Sequence, residues 1–477
     1  MTKAAQVYDY DTLRVPLVGN HFNRETSASK DQIFYNVIVD SEKNPVTESK
    51  KVFVGKRGGF TADSIPDAGG GEGRGIYYWS RSAKKYSVID DRLYSNTTDI
   101  KTLTTSTGTV WFVESTGTTD YLILCDGTKT YYITTGDTVT EITDGDFPAG
   151  AITPVSLDGY LFVIKSGTDE IYNSDVDAPT AWTASSFLSA EMYPDNLVAL
   201  ARQVNYVVAF GSYSVEFFYD NENASGSPLA RNQSIAIKTG LAARDSMAQA
   251  DRRLIFVGQS NIGDPGVWMF DGLTPSKIST EFIDKILYGE GSTLSSSKAW
   301  ICKHKGHTLY VLNLTGASRT LVYDLDEKLW VDWSSNSSST HVVLPYSYST
   351  QGANNTVLVL HNTDGKIYKL DPTIYTDDAG AILVKIVTGR IDFGSAMQKR
   401  LFRVELIGDI QSSGTVTFDW TNDDYGSWSS SRSLDLTTRP YTKALGVLRR
   451  PAFRLQHSTN AAFRVEALEF DFSMGVH

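Results

Sequence analysis

Short runs of apolar and aromatic residues, each closed by a turn residue, recur from about residue 76 to residue 372. Ile76 to Trp79 and Tyr160 to Ile164 are typical runs, and Asp126-Gly127 is a typical turn, because glycine tolerates the positive φ of a tight hairpin. The runs come in sets spaced roughly 40–50 residues apart, the period of four-stranded propeller blades. The pattern predicts an all-β chain with a β-propeller of six or seven blades over residues 76–372. A pair of β-sandwiches, the rival architecture, would need longer Greek-key connections.

The segments on either side of this region follow other patterns. Residues 1–75 show little periodicity, which predicts an N-terminal arm with a few short strands such as residues 51–54. Residues 373–477 alternate apolar and polar positions, which indicates strands with one buried face and predicts a separate β-sandwich, a platform or docking domain. One helix is predicted after the hydroxyl cap Ser279-Thr280, over residues 281–287, where it would pack over the end of a blade.

Composition narrows the class of protein. Of 477 residues, 41% are hydrophobic and 21% charged, and the net charge is −11, so the chain is globular and acidic. Duplex DNA carries about one phosphate per 1.7 Å, so this balance argues against a protein that holds nucleic acid by charge, though not against one that DNA slides past. Cys125 and Cys302 allow one disulfide at most, and the apolar run before Cys125 favours a buried thiol.

Targeting segments are not apparent in the sequence. The N-terminus has no apolar stretch of the length a secretion signal needs, and no run approaches the 18 or so apolar residues of a membrane helix. We therefore expect synthesis in the cytoplasm and no membrane insertion.

Candidate chemistry is weak throughout the chain. Cys302, His304 and His307 suggest a metal site, but no second Cys/His pair complements them, and a hairpin turn explains the segment equally simply. The aspartate pairs 90–91, 377–378 and 423–424 stand beside turns, where Asp bonds its own backbone, and no pair stands out as glycosidase carboxylates. The glycine cluster 69–75 lacks the spacing of a dinucleotide loop and predicts a flexible or closely packed loop. We predict no catalytic, cofactor-binding or metal-binding residues.

The densest positive patch, called here the basic cluster, lies near the C-terminus. It consists of Arg439, Lys443, Arg449, Arg450 and Arg454. One interpretation is a solvated strand edge, which Lys and Arg protect from pairing with other strands. The other is a contact to an acidic neighbour in an assembly.

Several segments carry a family resemblance, and they occur in order along most of the chain. In the middle region they are Val207 to Phe218, Lys238 to Ala243, Arg253 to Gly258, Gly266 to Phe270 and Pro275 to Ile283. The arm adds Asn36 and residues 51–59, and the C-terminal part adds Arg400 to Leu406, the 415–428 hairpin, Arg449-Arg450 and Phe453 to Leu455. The chain resembles the packaged-DNA stabilisation proteins of short-tailed phages, also called tail hub or nozzle proteins. Residues 291–372 match that family weakly.

This resemblance implies a structural component of the virion tail and not an enzyme. Proteins of this family form a ring, usually six-fold, below the portal and its adaptor, which extends the DNA channel and retains the genome until ejection. The implied partners are other copies of the chain, expected to form a hexamer, the portal-adaptor protein, tail fibre or spike and needle or plug proteins, and genomic DNA in transit. No cofactor is implied.

A second function class stays open on the sequence alone. A carbohydrate-binding or glycosidase-type β-propeller has the same strand pattern. It predicts a central pocket that holds an arginine or carboxylate cluster.

Overall fold

A computed structural model of the chain describes residues 11–18, 32–43, 50–115, 117, 119–223, 225–235, 237–335 and 341–475. The chain divides into two compact units. Unit 1 comprises residues 1–60, 326–342 and 371–477, and unit 2 comprises residues 61–325 and 343–370. These units differ from the predicted segments, because residues 326–342 and the N-terminal residues group with the C-terminal region.

The strands that precede unit 2 or open it are β1 (Asp11–Pro16), β2 (Ile33–Tyr35), β3 (Val37–Lys43), β4 (Lys50–Lys56) and β5 (Gly59–Ser64). The strand predicted over residues 51–54 is confirmed by β4.

Unit 2 is built from successive antiparallel sheets. The described residues form seven of these sheets, which agrees with the prediction of six or seven blades. The first four are β6 (Gly73–Trp79), β7 (Lys84–Ile89), β8 (Arg92–Ser95), β9 (Thr98–Thr102); β10 (Trp111–Ser115), β11 (Tyr121–Cys125), β12 (Thr130–Ile133), β13 (Val139–Glu141); β14 (Ala151–Leu157), β15 (Tyr160–Lys165), β16 (Glu170–Asp175), β17 (Ala178–Ser189); and β18 (Leu197–Gln203), β19 (Tyr206–Gly211), β20 (Val215–Asp220), β21 (Leu229–Arg231).

The fifth sheet contains β22 (Gly240–Leu241), β23 (Ala248–Ala250), β24 (Arg253–Ser260), β25 (Gly263–Asp271) and β26 (Thr274–Lys277). The sixth has three strands in this unit, β27 (Lys298–His304), β28 (His307–Leu314) and β29 (Arg319–Asp324). The strand β30 (Leu329–Trp333) belongs to unit 1. The seventh contains β31 (Tyr346–Gln351), β32 (Val357–His361) and β33 (Ile367–Asp371), with β5 beside β33. A strand from before the first blade therefore completes the last.

The packing between sheets explains why the middle strands are continuously apolar. Along β15, Phe162 and Ile164 pack towards the fourth sheet, whereas Leu161 and Val163 pack towards the second, and all four are fully buried. A strand covered on both faces needs apolar residues at every position. Neighbouring sheets contact one another in turn, through β6 and β10, β10 and β14, β14 and β18, β19 and β22, β23 and β27, and β27 and β31. Because β31 also contacts β6, the ring of blades is closed. Unit 2 is therefore a β-propeller, as predicted.

The predicted helix is present as α1 (Glu281–Glu290), and Thr280 caps it by accepting a hydrogen bond from the Ile283 amide at 3.4 Å. Ile283, Ile286 and Leu287 are buried, and α1 contacts β25. Three short 3₁₀ turns cover Arg244–Ser246, Gly291–Ser296 and Ala353–Asn355. Among the described residues, no helix has the length and apolar character needed to cross a membrane.

The described residues of unit 1 form two large sheets that join both ends of the chain, and one two-stranded sheet. Its later strands are β34 (Thr376–Asp377), β35 (Gly380–Ala381), β36 (Val384–Val387), β37 (Lys399–Gly408), β38 (Thr415–Thr421), β39 (Arg432–Asp435), β40 (Tyr441–Leu448), β41 (Ala452–His457) and β42 (Arg464–Met474). One large sheet has the order β3-β4-β42-β37-β40, with β1 also on β42, and the other includes β30-β2-β36-β41-β38-β39. The two-stranded sheet is β34-β35. Phe453 of one sheet packs on Phe470 of the other, with ring centroids 4.7 Å apart.

Candidate functional site

A central cavity of about 830 Å³ lies inside the propeller, lined by residues from all seven sheets. The first strands of the blades supply most of its wall, and the aromatic residues among them are Tyr77, Trp111, Phe112, Trp300 and Tyr348. A second cavity of about 480 Å³ shares part of this wall, including Pro154 and Leu200. The centre of the propeller is thus a large cavity with polar groups on its wall.

Four polar side chains on or beside this wall form one hydrogen-bonded chain. Lys298 Nζ donates to Tyr348 Oη at 2.9 Å, and Tyr348 Oη lies 2.8 Å from Thr109 Oγ1. Thr109 Oγ1 in turn donates to the Asp245 carboxylate. Burial raises the pKa of Tyr348, so its hydroxyl stays protonated and donates onward to Thr109. The four groups satisfy one another, which fixes the wall where side chains of four blades meet.

Two further ion pairs lie on the wall of the cavity. Arg244 Nε lies 3.5 Å from Asp245, and its guanidinium covers the Trp111 ring at 4.7 Å from the centroid. Lys303 Nζ lies 3.6 Å from Asp251. The cavity therefore does contain an arginine and carboxylates, the feature that a carbohydrate-acting propeller predicts. Because both carboxylates and the arginine have partners in the wall, these groups are not left available to a polar ligand.

The histidine segment forms the hairpin that the sequence allowed. β27 ends at His304 and β28 begins at His307, with Lys305 and Gly306 at positive φ in the turn. His307 Nδ1 lies 2.7 Å from Asp324. Cys302 and Cys125 are buried free thiols, and burial raises the pKa of Cys125 to about 12. The interpretation of residues 303–307 as a turn is therefore confirmed.

The aspartate pairs fall into two groups. Asp90 accepts a hydrogen bond from the Glu72 amide at 2.7 Å, and Asp423 accepts one from the Ser427 amide at 2.9 Å. Hydrogen bonds from Ser427, chiefly its hydroxyl, hold the pKa of the Asp423 carboxyl well below its usual range. Asp423 confirms the prediction of turn chemistry, whereas Asp90 lies in its turn at positive φ but its carboxylate binds the amide of a residue 18 positions away. Asp377 instead binds the buried side chain of Arg57 through both carboxylate oxygens, at 2.9 and 2.6 Å.

The glycine cluster is closely packed, and from Gly73 onwards it is the start of strand β6 and not a loop. A Cβ on Gly73 would lie 2.3 Å from the His361 carbonyl oxygen, and one on Gly75 would lie 2.7 Å from Val110 Cγ2. Between them, the buried Arg74 donates to the carbonyl oxygens of Gly108 and Thr105, both at 2.7 Å. Of the two forms that the sequence predicted, the packed one is correct.

The basic cluster lies on unit 1, on and beside the edge strand β40. Arg439, Lys443, Arg449 and Arg450 are exposed. Arg439 pairs with Glu405 of the neighbouring strand β37. Arg454 differs from the others, because it is half-buried, binds Asp419 at 2.8 and 2.6 Å and covers the Trp428 ring.

The turn that carries Arg449 and Arg450 has a fixed backbone. Asn422 Oδ1 accepts hydrogen bonds from both amides, at 2.9 and 3.2 Å. The Arg449 carbonyl accepts from the buried Lys399 Nζ at 3.0 Å, and the Arg450 carbonyl accepts from Arg390 Nε at 3.3 Å. Arg449 Nε also donates to the Ala396 carbonyl at 2.9 Å, so the Arg449 side chain is held in place although it is exposed, and both arginines stand on a rigid base.

Sequence reasoning did not find the cavity network or the site of Arg57. Thr109, Asp245 and Tyr348 come from three different blades, so no spacing in the sequence connects them. Arg57 follows a strand and precedes glycines, which is typical of a loop, and its burial depends on partners more than 270 residues away. No local sequence pattern therefore predicts the hydrogen-bonded chain in the cavity or the burial of Arg57.

Comparison with known proteins identifies the family. A family model described as "Bacteriophage P22 Gp10, beta-propeller" matches residues 44–375. A curated relative, the tail hub protein gp10 of Salmonella phage P22, is 23% identical over 270 residues, which are 53% of this chain and 55% of that protein. The chain thus spans about half the length of the curated relative it matches.

Solved structures with a similar fold are more distant. The N-terminal domain of Nup159 aligns with 71% of this chain and 98% of its own, at 9% identity and a TM-score of 0.39. Virginiamycin B lyase from Staphylococcus aureus aligns with 65% of this chain and 98% of its own, at 12% identity and a TM-score of 0.43. These likenesses are too weak to bear on function. The match of the family model over most of the chain is decisive: the chain belongs to the family of the bacteriophage P22 Gp10 β-propeller, a family of structural phage tail proteins.

Proposed function

We propose that the chain is the tail hub, or nozzle, subunit of a short-tailed phage. In this proposal its copies form a ring, expected to be a hexamer, below the portal and its adaptor. The ring lengthens the DNA channel, retains the packaged genome and conducts it during ejection. Tail fibre or spike and needle or plug proteins would attach to the same ring.

The family match over residues 44–375 is the observation that carries this proposal, because that range contains the described strands of all seven blades. The central cavity agrees with a structural role, since Asp245 and Asp251 each have a basic partner in its wall. A scaffold needs such internal pairing, whereas a catalytic site needs groups left available to a substrate.

Charge supports passage of DNA without retention by the wall. A chain of net charge −11 repels phosphate, so a duplex would slide past it. The propeller cavity, about 830 Å³, has the size of a small-molecule site, about 300–1,000 Å³, and is too small for a duplex. In this proposal the bore therefore lies between copies of the chain.

The basic cluster is proposed as an assembly contact. Arg439, Lys443, Arg449 and Arg450 are exposed, which suits a contact to an acidic neighbour. Arg454 stabilises unit 1 through its hydrogen bond to Asp419, so we do not include it in the proposed contact.

Loss of the gene product tests the proposal. A phage with a nonsense codon in this gene, grown in a non-suppressing host, should package DNA but lose it during purification, and electron microscopy should show particles without the ring. Supplying the chain in trans should restore retention of DNA. Stable, DNA-filled, infectious particles without the chain would overturn the proposal.

A carbohydrate-binding or glycosidase-type propeller is the second candidate, favoured by Arg244 and Asp245 in the central cavity. It predicts a monomer whose binding to a glycan array is abolished by Arg244→Ala. An oligomeric chain with no glycan binding would exclude it.

A further inference from the structure

The region on and beside the edge strand β40 of unit 1 presents a surface that is both positively charged and apolar. We call it the basic edge: Arg439, Tyr441, Lys443, Val447, Arg449 and Arg450. Tyr441 is 47% exposed and Val447 55% exposed. Among the described residues, β40 is the end strand of its sheet, so this side of the sheet has no further strand upon it.

The backbone of β40 is blocked against simple strand addition. Ala444 and Gly446 have positive φ, and the register with β37 shifts between Leu401 and Arg403. Arg432 of β39 donates to the carbonyl oxygens of Lys443 and Ala444. Bulges and occupied main-chain groups protect an edge from pairing. A partner must therefore recognise the side chains of this edge.

The propeller carries a surface of the opposite sign, at the turns that follow the first and third strands of its third sheet and the third strand of its fourth sheet. We call it the acidic corner: Asp158, Asp175, Val176, Asp177, Asp220 and Glu222. The Asp177 amide donates to the Gly159 carbonyl at 2.9 Å, so the turns of the third sheet are in contact. Val176 is 55% exposed.

The carboxylates of the acidic corner are not neutralised by nearby bases. Among the residues that the structure describes, no Lys or Arg nitrogen lies within 4.0 Å of any of these five carboxylates. The nearest bases by sequence, Lys165 and Arg231, pair instead with Glu170 and Glu216. Arg202 donates to the carbonyl oxygens of Val204 and Ser156. Burial, and then the charges of Asp220 and Asp175, raise the pKa of Tyr160, which lies beside the corner.

We infer that the basic edge of one copy docks on the acidic corner of the next copy. This inference rests on the proposed function and names its assembly interface. Each surface has an exposed apolar centre with charges of one sign around it, and the signs are opposite. A contact between two different surfaces of the same chain is heterologous, and such contacts close into rings when the rotation between copies permits. Fixed charges at the rim also set register and speed association.

Charge exchange tests the inference on the purified full-length chain. Arg449→Glu with Arg450→Glu should weaken self-association at least tenfold in analytical ultracentrifugation, and Asp175→Lys with Asp177→Lys should do the same. The quadruple variant should recover self-association, because every copy then carries both reversed surfaces. Lys285→Glu and Asp264→Lys, exposed charges outside both surfaces, are the matched controls and should leave self-association unchanged. Raising the salt to about 1 M should weaken the wild-type assembly, because the Debye length falls to about 3 Å.

The outcomes separate this inference from the proposed function. If the wild-type chain assembles, and each double variant with only one surface reversed assembles equally well, the interface is overturned and the ring is left intact. A wild-type chain that stays monomeric at every concentration would overturn both. If only the reversals at Arg449 and Arg450 weaken assembly, the partner surface is wrong. If they leave assembly unchanged but abolish binding of duplex DNA in a gel-shift assay, the edge binds nucleic acid and the inference fails.

Discussion

Replacing the buried Arg57 by methionine should destabilise unit 1 severely. The side chain is fully buried, and its guanidinium donates to Asn36 Oδ1 and Gly58 O at 2.9 Å, to Ser334 O at 3.1 Å and to both oxygens of Asp377. It also lies 5.4 Å from the Trp333 ring centroid. One residue thus connects three stretches of unit 1 that are far apart in sequence.

The magnitude follows from what the substitution leaves behind. Methionine fills the stem but leaves Asp377, whose side chain is 11% exposed, without its counter-ion. Removing one partner of a buried ion pair costs about 3–5 kcal/mol. Adding Asp377→Leu removes the orphaned charge and should recover most of that loss. Recovery should be incomplete, because the Phe60 amide then loses the 3.1 Å hydrogen bond it donates to Asp377, at about 1–3 kcal/mol.

Urea unfolding measures the loss of stability. Hydrogen exchange in peptides of β2, β3 and β36 then shows whether that loss lies in unit 1. The control is Arg81→Met. Arg81 Nη1 lies 2.6 Å from Asp120, the same distance as in the pair of Arg57 with Asp377, but the Arg81 side chain is 43% exposed. An exposed pair contributes about 0–1 kcal/mol, so the control should change little. A loss below 1 kcal/mol for Arg57→Met, or a double variant no more stable than the single one, would refute the reasoning.

Three further predictions concern stability and reactivity. Burial, and then the charge of Lys56, lower the pKa of His457 from 6.5 to about 4. Because the unfolded chain therefore takes up the proton first as the pH falls, the free energy of unfolding should drop between pH 6.5 and 4 by up to about 1.4 kcal/mol per pH unit. His457→Phe should flatten that part of a profile of urea midpoint against pH. Gly73→Ala should lower the free energy of unfolding by about 1–3 kcal/mol, because its Cβ would clash with the His361 carbonyl. Gly289→Ala, whose Cβ would enter open space on helix α1, should raise the free energy of unfolding by about 0.5–1 kcal/mol. Thermal melts measure both changes. The buried thiols of Cys125 and Cys302 should react with Ellman's reagent only after unfolding; rapid reaction of the folded chain would contradict their burial.

The sequence pattern predicts the inner part of each blade and fails at its outer edge. Runs such as Leu161 to Ile164 are apolar at every position because both faces of a middle strand are covered. The outermost strand of the first blade, Thr98–Thr102, has the sequence TDIKT and is largely exposed, so it lacks the apolar signal. The tight turns are predictable because Asp and Gly hold positive φ locally, as at Asp158-Gly159.

Strand pairing between distant segments cannot be inferred from one sequence. β1 and β4 both pair with β42, more than 400 residues later, and nothing in their own residues selects that partner. The basic cluster illustrates the same limit for sites. Arg454 and Arg450 look alike in sequence, but Asp419 beside Arg454 makes it internal, whereas Arg450 stays exposed on its rigid turn.

The distribution of charge decides between DNA and protein as the partner of the basic edge. Counted over the two units, the propeller has 32 Asp and Glu against 22 Lys and Arg, whereas unit 1 has 23 against 22, so the acidity lies almost entirely in the propeller. A bore that DNA must leave quickly needs an acidic wall, because exposed arginines would hold phosphates. Arg449 and Arg450 on a fixed backbone would oppose ejection if they lined that bore, but they would stabilise a ring if they met the acidic corner of a neighbouring propeller. The same charges therefore serve the proposed function only when they are buried in a contact between copies.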